Sequence, residues 1–70
     1  MFKIQLKAAR VNANLDLDAM SKAIKTSKNT IIDWEKKRKP IPEKKYLQYC
    51  DACHIDPKYV TAWIVQERRV

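Results

Sequence analysis

The chain of 70 residues contains no glycine. Glycine is the usual residue wherever the backbone turns left-handed, so no tight turn here has its normal positive-φ residue. Strand-type alternation is weak throughout, whereas apolar residues recur at helical spacing along the chain. The three prolines, Pro40, Pro42 and Pro57, fall between the helical stretches. The pattern predicts an all-α chain of short helices.

Phe2, Leu6, Ala9 and Ala13 share one side of a first helix over about 2–13, and Asn14, which tolerates left-handed backbone, stops it. Asp16 caps a second helix, in which Met20, Ala23 and Ile24 continue the apolar stripe from Leu17. Asp18 adds negative charge near the positive end of that helix dipole. Ser27 caps a third helix over about 28–37, with Ile31 and Trp34 facing the core. So short a link between the second and third helices forces a steep crossing and a shared small core. Pro40 and Pro42 end the third helix in a loop over 36–42. A fourth helix follows over about 43–54, with Tyr46, Leu47, Cys50 and Cys53 on its buried side. Asp56 and Pro57 open a fifth as cap and first helical residue, with Tyr59, Val60, Trp63 and Ile64 as its apolar face. The expectation is a compact five-helix domain over 1–66 and a flexible tail over 67–70.

Fifteen basic residues against eight acidic ones leave a formal charge of +7. The excess is concentrated: residues 22–45 hold nine basic residues (Lys22, Lys25, Lys28, Lys36, Lys37, Arg38, Lys39, Lys44, Lys45) and three acidic ones (Asp33, Glu35, Glu43), a net 9 − 3 = +6. A basic patch confined to one segment suits binding to a phosphate backbone, where each neutralised phosphate releases counterions. A merely solvated surface is the alternative. No apolar run approaches the length needed to span a bilayer, and the N-terminus carries no signal-peptide pattern, so a cytoplasmic protein is expected.

Cys50 and Cys53 with His54 resemble metal or redox vocabulary, but a zinc site needs four ligands and the chain offers no second pair. Small core residues on one helix face is the reading that fits better; a metal site shared between two subunits is the other. No metal and no cofactor are expected. With one histidine and no phosphate-cradling glycine loop, no catalytic constellation is present.

Residues 15–38 carry the functional signal. Two short helices meet at a tight turn, and the second opens with small polar residues and runs into a basic cluster. Such a helix suits a DNA groove. Ser27, Lys28, Asn29 and Asp33 are expected to face outward as base contacts: lysine donates to guanine, asparagine pairs two-pronged with adenine, and aspartate accepts from cytosine. The alternative for Asp33 is an ion pair with Lys36 or Lys37. Lys22, Lys25, Thr30, Lys36, Lys37, Arg38 and Lys39 are the expected phosphate contacts, which set affinity rather than sequence choice.

Several motifs resemble the phage-repressor and Cro-like family, also called the XRE family. Leu6-Lys-Ala-Ala-Arg10 is similar to its first-helix Leu-x-x-x-Arg. Ser27-Lys-Asn-Thr-Ile-Ile-Asp-Trp-Glu35 is similar to its Ser-x-x-Thr-Ile-x-x-Ile/Trp-Glu, and Lys39-Pro40 to the loop that follows. Tyr46-Leu-x-x-Cys-x-x-Cys-x-Ile55 resembles its fourth helix. The resemblance covers about residues 3–64 and implies a lambda repressor-like fold with a helix-turn-helix. It also implies a structural ion pair between Arg10 and Glu35, and sequence-specific binding of double-stranded DNA by a transcriptional regulator. The implied partners are a second copy of the chain and a palindromic operator, in a bacterial or phage-infected bacterial cell. Three positions depart from the pattern: Ser21 replaces a usual Ala, Lys25 a usual turn Gly, and Leu17 a Gln that usually contacts phosphate. An antitoxin or protein-interaction module of the same fold is the alternative; steep salt dependence separates DNA binding from it.

Overall fold

Helix ends dominate the architecture, because four of them must be closed without glycine. The structure, a computed structural model, describes residues 3–65. It is mostly helical, with α1 (Leu6–Asn12), α2 (Leu17–Ile24), α3 (Lys28–Glu35) and α4 (Glu43–Ala52). Four two-residue strands accompany them: β1 (Ile4–Gln5), β2 (Ile41–Pro42), β3 (Val60–Thr61) and β4 (Ile64–Val65). Phe2 and the expected tail over 67–70 lie outside the described residues.

Each helix stops at a non-glycine residue of positive φ or at the residue before it: Asn14 (60°), Lys25 (52°), Lys37 (59°) and His54 (56°). The closure is the same four times. The amide after the left-handed residue donates back across the last turn, Leu15 to Arg10 (3.1 Å), Thr26 to Ser21 (3.0 Å), Arg38 to Asp33 (2.9 Å) and Ile55 to Cys50 (3.1 Å). Leu15 and Ile55 then pack against the core, completing the apolar contact that accompanies such caps. A left-handed residue with a Cβ costs about 1–2 kcal/mol, less for asparagine, so two lysines and a histidine each hold strain that glycine would relieve. The turn at Lys25 therefore accommodates lysine in the left-handed conformation itself.

Helix starts follow from their caps. The Asp16 carboxylate accepts from the Ala19 amide at 2.8 Å, and the Ser27 hydroxyl from the Thr30 amide at 3.3 Å. The core assembles from helical repeats: Leu6 and Ala9 of α1, Met20 and Ile24 of α2, Ile31 and Trp34 of α3, and Tyr46, Tyr49 and Cys50 of α4, with Ile41, Cys53 and Val60. α2 packs on both α3 and α4. The radius of gyration of 11.3 Å matches the roughly 11 Å of a compact chain this long.

Four expectations need correction. The first helix begins at Leu6 rather than near residue 2, because Ile4 and Gln5 extend as β1 to pair in parallel with β3. Ala23 is exposed, so the α2 stripe runs through Leu17, Met20 and Ile24. On α4, Leu47 is 49% exposed and Tyr49 fully buried; the inward face is 46, 49, 50 and 53. The fifth helix is reduced to a single 3₁₀ turn, Pro57–Tyr59, capped by Asp56. Beyond it the chain extends, with Val60 buried, Ala62 and Ile64 half-buried against the core, and Trp63 and Val65 exposed. That is strand alternation, carried by β-branched Val60, Thr61, Ile64 and Val65, which favour an extended backbone. Pairing of β4 with β2 and of β3 with β1 satisfies two short edges, and the Ile41 amide donates to the Trp63 carbonyl at 2.8 Å. The Tyr46 hydroxyl, 2.6 Å from the Pro57 carbonyl and 3.0 Å from that of Val60, pins the segment to α4.

Candidate nucleic-acid interface

Three elements fix α3 through one buried ionic knot. The Arg10 guanidinium donates from Nε to Glu35 Oε2 at 2.7 Å and from Nη2 to Oε1 at 3.2 Å. Its Nη1 donates to the Leu15 carbonyl at 3.0 Å, which ties in the loop before α2. The Tyr49 hydroxyl lies 2.7 Å from Glu35 Oε2 and 2.8 Å from the Leu6 carbonyl. Both charged side chains are almost wholly buried, at 9% and 5% exposure. Hydrogen bonding to Glu35 holds the Arg10 pKa above its ordinary value. Burial, followed by the hydrogen bond to Glu35, pushes the Tyr49 phenol well above its ordinary range, so it stays a donor. Two-point geometry of this kind fixes direction as well as distance, and it sets the C-terminal end of α3 relative to α1 and α4.

The other end of α3 is fixed through α2. The Lys45 ammonium donates to the Ile24 carbonyl at 2.7 Å, so this member of the basic segment closes the end of α2. The Ser21 hydroxyl donates to the Thr26 carbonyl at 2.6 Å, and Thr26 Oγ1 to the Ile24 carbonyl at 3.1 Å. Ser21 is thus a turn brace as well as a small packing residue.

With the helix held at both ends, its solvent face is defined. Ser27, Lys28 and Asn29 are exposed at its start, and Thr30 is half-buried. The Ser27 and Thr30 hydroxyls are 2.8 Å apart, so each already has a partner. The Lys28 ammonium lies 2.8 Å from Asp18 Oδ1 of α2, and both groups are exposed. Asp33 is placed differently from expectation. Its carboxylate is 23% exposed and faces Arg38 and Lys39, each at 3.7 Å, rather than Lys36 or Lys37. The reversal at Lys37 carries the chain back past Asp33, which a straight-helix count to i+4 does not capture. Lys22, Lys25, Lys36, Lys37, Arg38 and Lys39 are all exposed.

Sequence reasoning missed Tyr49, Asp18 and Lys45. A strict count of 46, 49, 50 and 53 would have placed Tyr49 inward in place of Leu47. The Asp18–Lys28 and Lys45–Ile24 contacts depend on how α2 crosses its neighbours, and no spacing encodes them.

Cys50 and Cys53 are buried free thiols. Burial raises both, Cys53 to about 11, so they stay protonated near neutral pH and are poor nucleophiles. Among the described residues, no group of three His, Cys, Asp or Glu side chains is placed to hold a metal ion. No helix among them is long and apolar enough to cross a membrane. Compared with protein-family models, curated proteins and solved structures, the chain matches none.

Proposed function

We propose that this chain is a sequence-specific double-stranded DNA-binding regulator of transcription, of phage-repressor or Cro-like kind. In this reading α2 and α3 are a helix-turn-helix, and α3 enters the major groove. A helix with its side chains is about 10–12 Å across, matching a groove about 12 Å wide.

The observation that carries the reading is the pair of exposed cations, Lys25 and Lys37, on either side of α3. These residues bracket α3, and both are left-handed. The same left-handed closure recurs at Asn14 and His54, so it is the placement of these two exposed cations, rather than the backbone strain, that supports the reading. A cation just before and just after the groove helix is what two phosphate rails require. Lys22, Lys36, Arg38 and Lys39 extend the same contacts. Between them Lys28 and Asn29 offer the donors and acceptors that read guanine and adenine. Asp33, drawn to Arg38 and Lys39, serves better as an anchor for the basic loop than as a cytosine reader.

One domain of this size reads few base pairs, and a two-fold dimer on a palindrome doubles the reading. Trp63 and Val65, exposed around β4, supply apolar surface for such a dimer. Selection of bound fragments from random duplex tests both parts: a recovered consensus supports base reading, and two-fold symmetry in it supports the dimer. Asn29→Ala should then weaken the consensus complex by about 1–3 kcal/mol and random duplex little. Equal losses on both would remove Asn29 as a reader. Failure to retain any duplex at micromolar protein and low salt would overturn the proposal.

A further inference from the structure

Lys28 occupies the first position of α3, where the helix dipole disfavours a cation. Lys25 lies three residues before it, and the basic loop follows the same helix. An unrestrained lysine there would be drawn to the nearest phosphate, because backbone charge dominates attraction to DNA. Asp18 competes with the phosphate for the same ammonium. Its Oδ1 lies 2.8 Å from the Lys28 ammonium, and the contact spans two helices whose relative placement is set by packing. A depression lined by Arg10, Asp16, Leu17, Asp18 and Lys28 lies at the pair. The hydrogen bond to Asp18, and then its charge, raise the Lys28 pKa.

An ammonium has three N–H donors. One points to Asp18, leaving two, and guanine presents two adjacent acceptors, O6 and N7, in the major groove. We propose that Asp18 is a positioning residue for base reading: it holds the Lys28 ammonium on the face of α3 and offsets its charge, so that the remaining donors meet guanine rather than a phosphate. The inference rests on the DNA-binding reading above. It adds to that reading a residue on α2 that touches no base and still sets base preference.

The test uses the full chain as wild type, D18N, K28A and the double variant. The probes are the duplex consensus selected by wild type, that duplex with adenine in place of the guanine whose selection K28A loses, and random duplex. Binding is read by fluorescence anisotropy over a salt series. The expected D18N result is a fall of about five- to tenfold in preference for guanine over adenine at that position. On random duplex the salt slope should steepen by about one, as Lys28 goes over to a phosphate. In the K28A background D18N should change neither quantity.

Retention of the guanine preference in D18N would overturn the proposal, as would an equal steepening of the salt slope by D18N in the K28A background. Selection of the same consensus by K28A and wild type would overturn it while leaving the DNA-binding reading intact. If wild type selects no duplex, both fall together. A purely structural role for Asp18, as a favourable charge at the start of α2, would lower the melting temperature without moving base preference. D18S, which also removes the charge, should reproduce D18N and guards against an effect of the introduced amide.

Discussion

Replacing His54 with glycine should make the protein more stable, although it removes a side chain and adds none. His54 sits just past α4 at a φ of 56°, where a Cβ costs about 1–2 kcal/mol. Glycine removes that cost. It also frees the unfolded chain, which returns about 0.4–1 kcal/mol of the gain. The difference is a net stabilisation of about 0.5–1 kcal/mol, or about 2–8 °C in melting temperature for a domain of this size. The amide of His54 donates to the Asp51 carbonyl and that of Ile55 to Cys50, and glycine keeps both bonds. His54→Ala separates backbone strain from side-chain loss, because alanine keeps the Cβ and its penalty. Thermal unfolding followed by circular dichroism should rank H54G above wild type and above H54A. H54G melting at or below H54A would refute the claim that this position is strained.

The same arithmetic applies to Lys25 and Lys37, with a functional cost attached. K25G and K37G should each melt higher than wild type yet bind all duplexes more weakly, each flattening the salt slope by about one; a stabilised variant with an unchanged slope would show that its lysine meets no phosphate. Removing one partner of the buried ion pair, as in Arg10→Ala, should cost about 3–5 kcal/mol. Tyr49→Phe, which removes the hydroxyl lying between the Glu35 carboxylate and the Leu6 carbonyl, should cost about 1.5–3 kcal/mol; urea unfolding should find the first variant largely unfolded and the second cooperative. Cys53 is raised from 9.0 to about 11, chiefly by burial, so the folded state favours the neutral thiol. Its contribution is fully present below about pH 9 and is lost as pH rises through about 11. Melting temperatures from pH 8 to 10.5 should fall more steeply in wild type than in C53A, and parallel curves would refute the assignment.

Much of the helical frame was legible because it is written locally. Asp16, Ser27 and Asp56 are short polar acceptors one residue before helical spacing begins, and each accepts a backbone amide in the structure. Ile31 with Trp34 and Met20 with Ile24 declare their faces by spacing alone. The Arg10–Glu35 contact was supplied by the resemblance rather than by periodicity. What was not legible depends on tertiary partners. Val60, Trp63 and Ile64 fit a helix stripe and also a strand, and only β1 and β2, distant in sequence, decide for the strand. Leu47 and Tyr49 differ by a rotation of the helix that pattern counting resolves poorly. Asp33 and Lys28 took partners through a chain reversal and a helix crossing, neither of which a linear spacing contains.

The central claim is that the start of α3 lies against base edges between two lysine-borne phosphate contacts. Backbone amide shifts of isotope-labelled protein, followed as the selected duplex is added, test it most directly. The largest changes should fall over residues 27–33, with Lys25 and Lys37 next and the buried amides of α4 little moved. Changes confined to α4 or to the β4 edge, with α3 unmoved at saturating duplex, would contradict it.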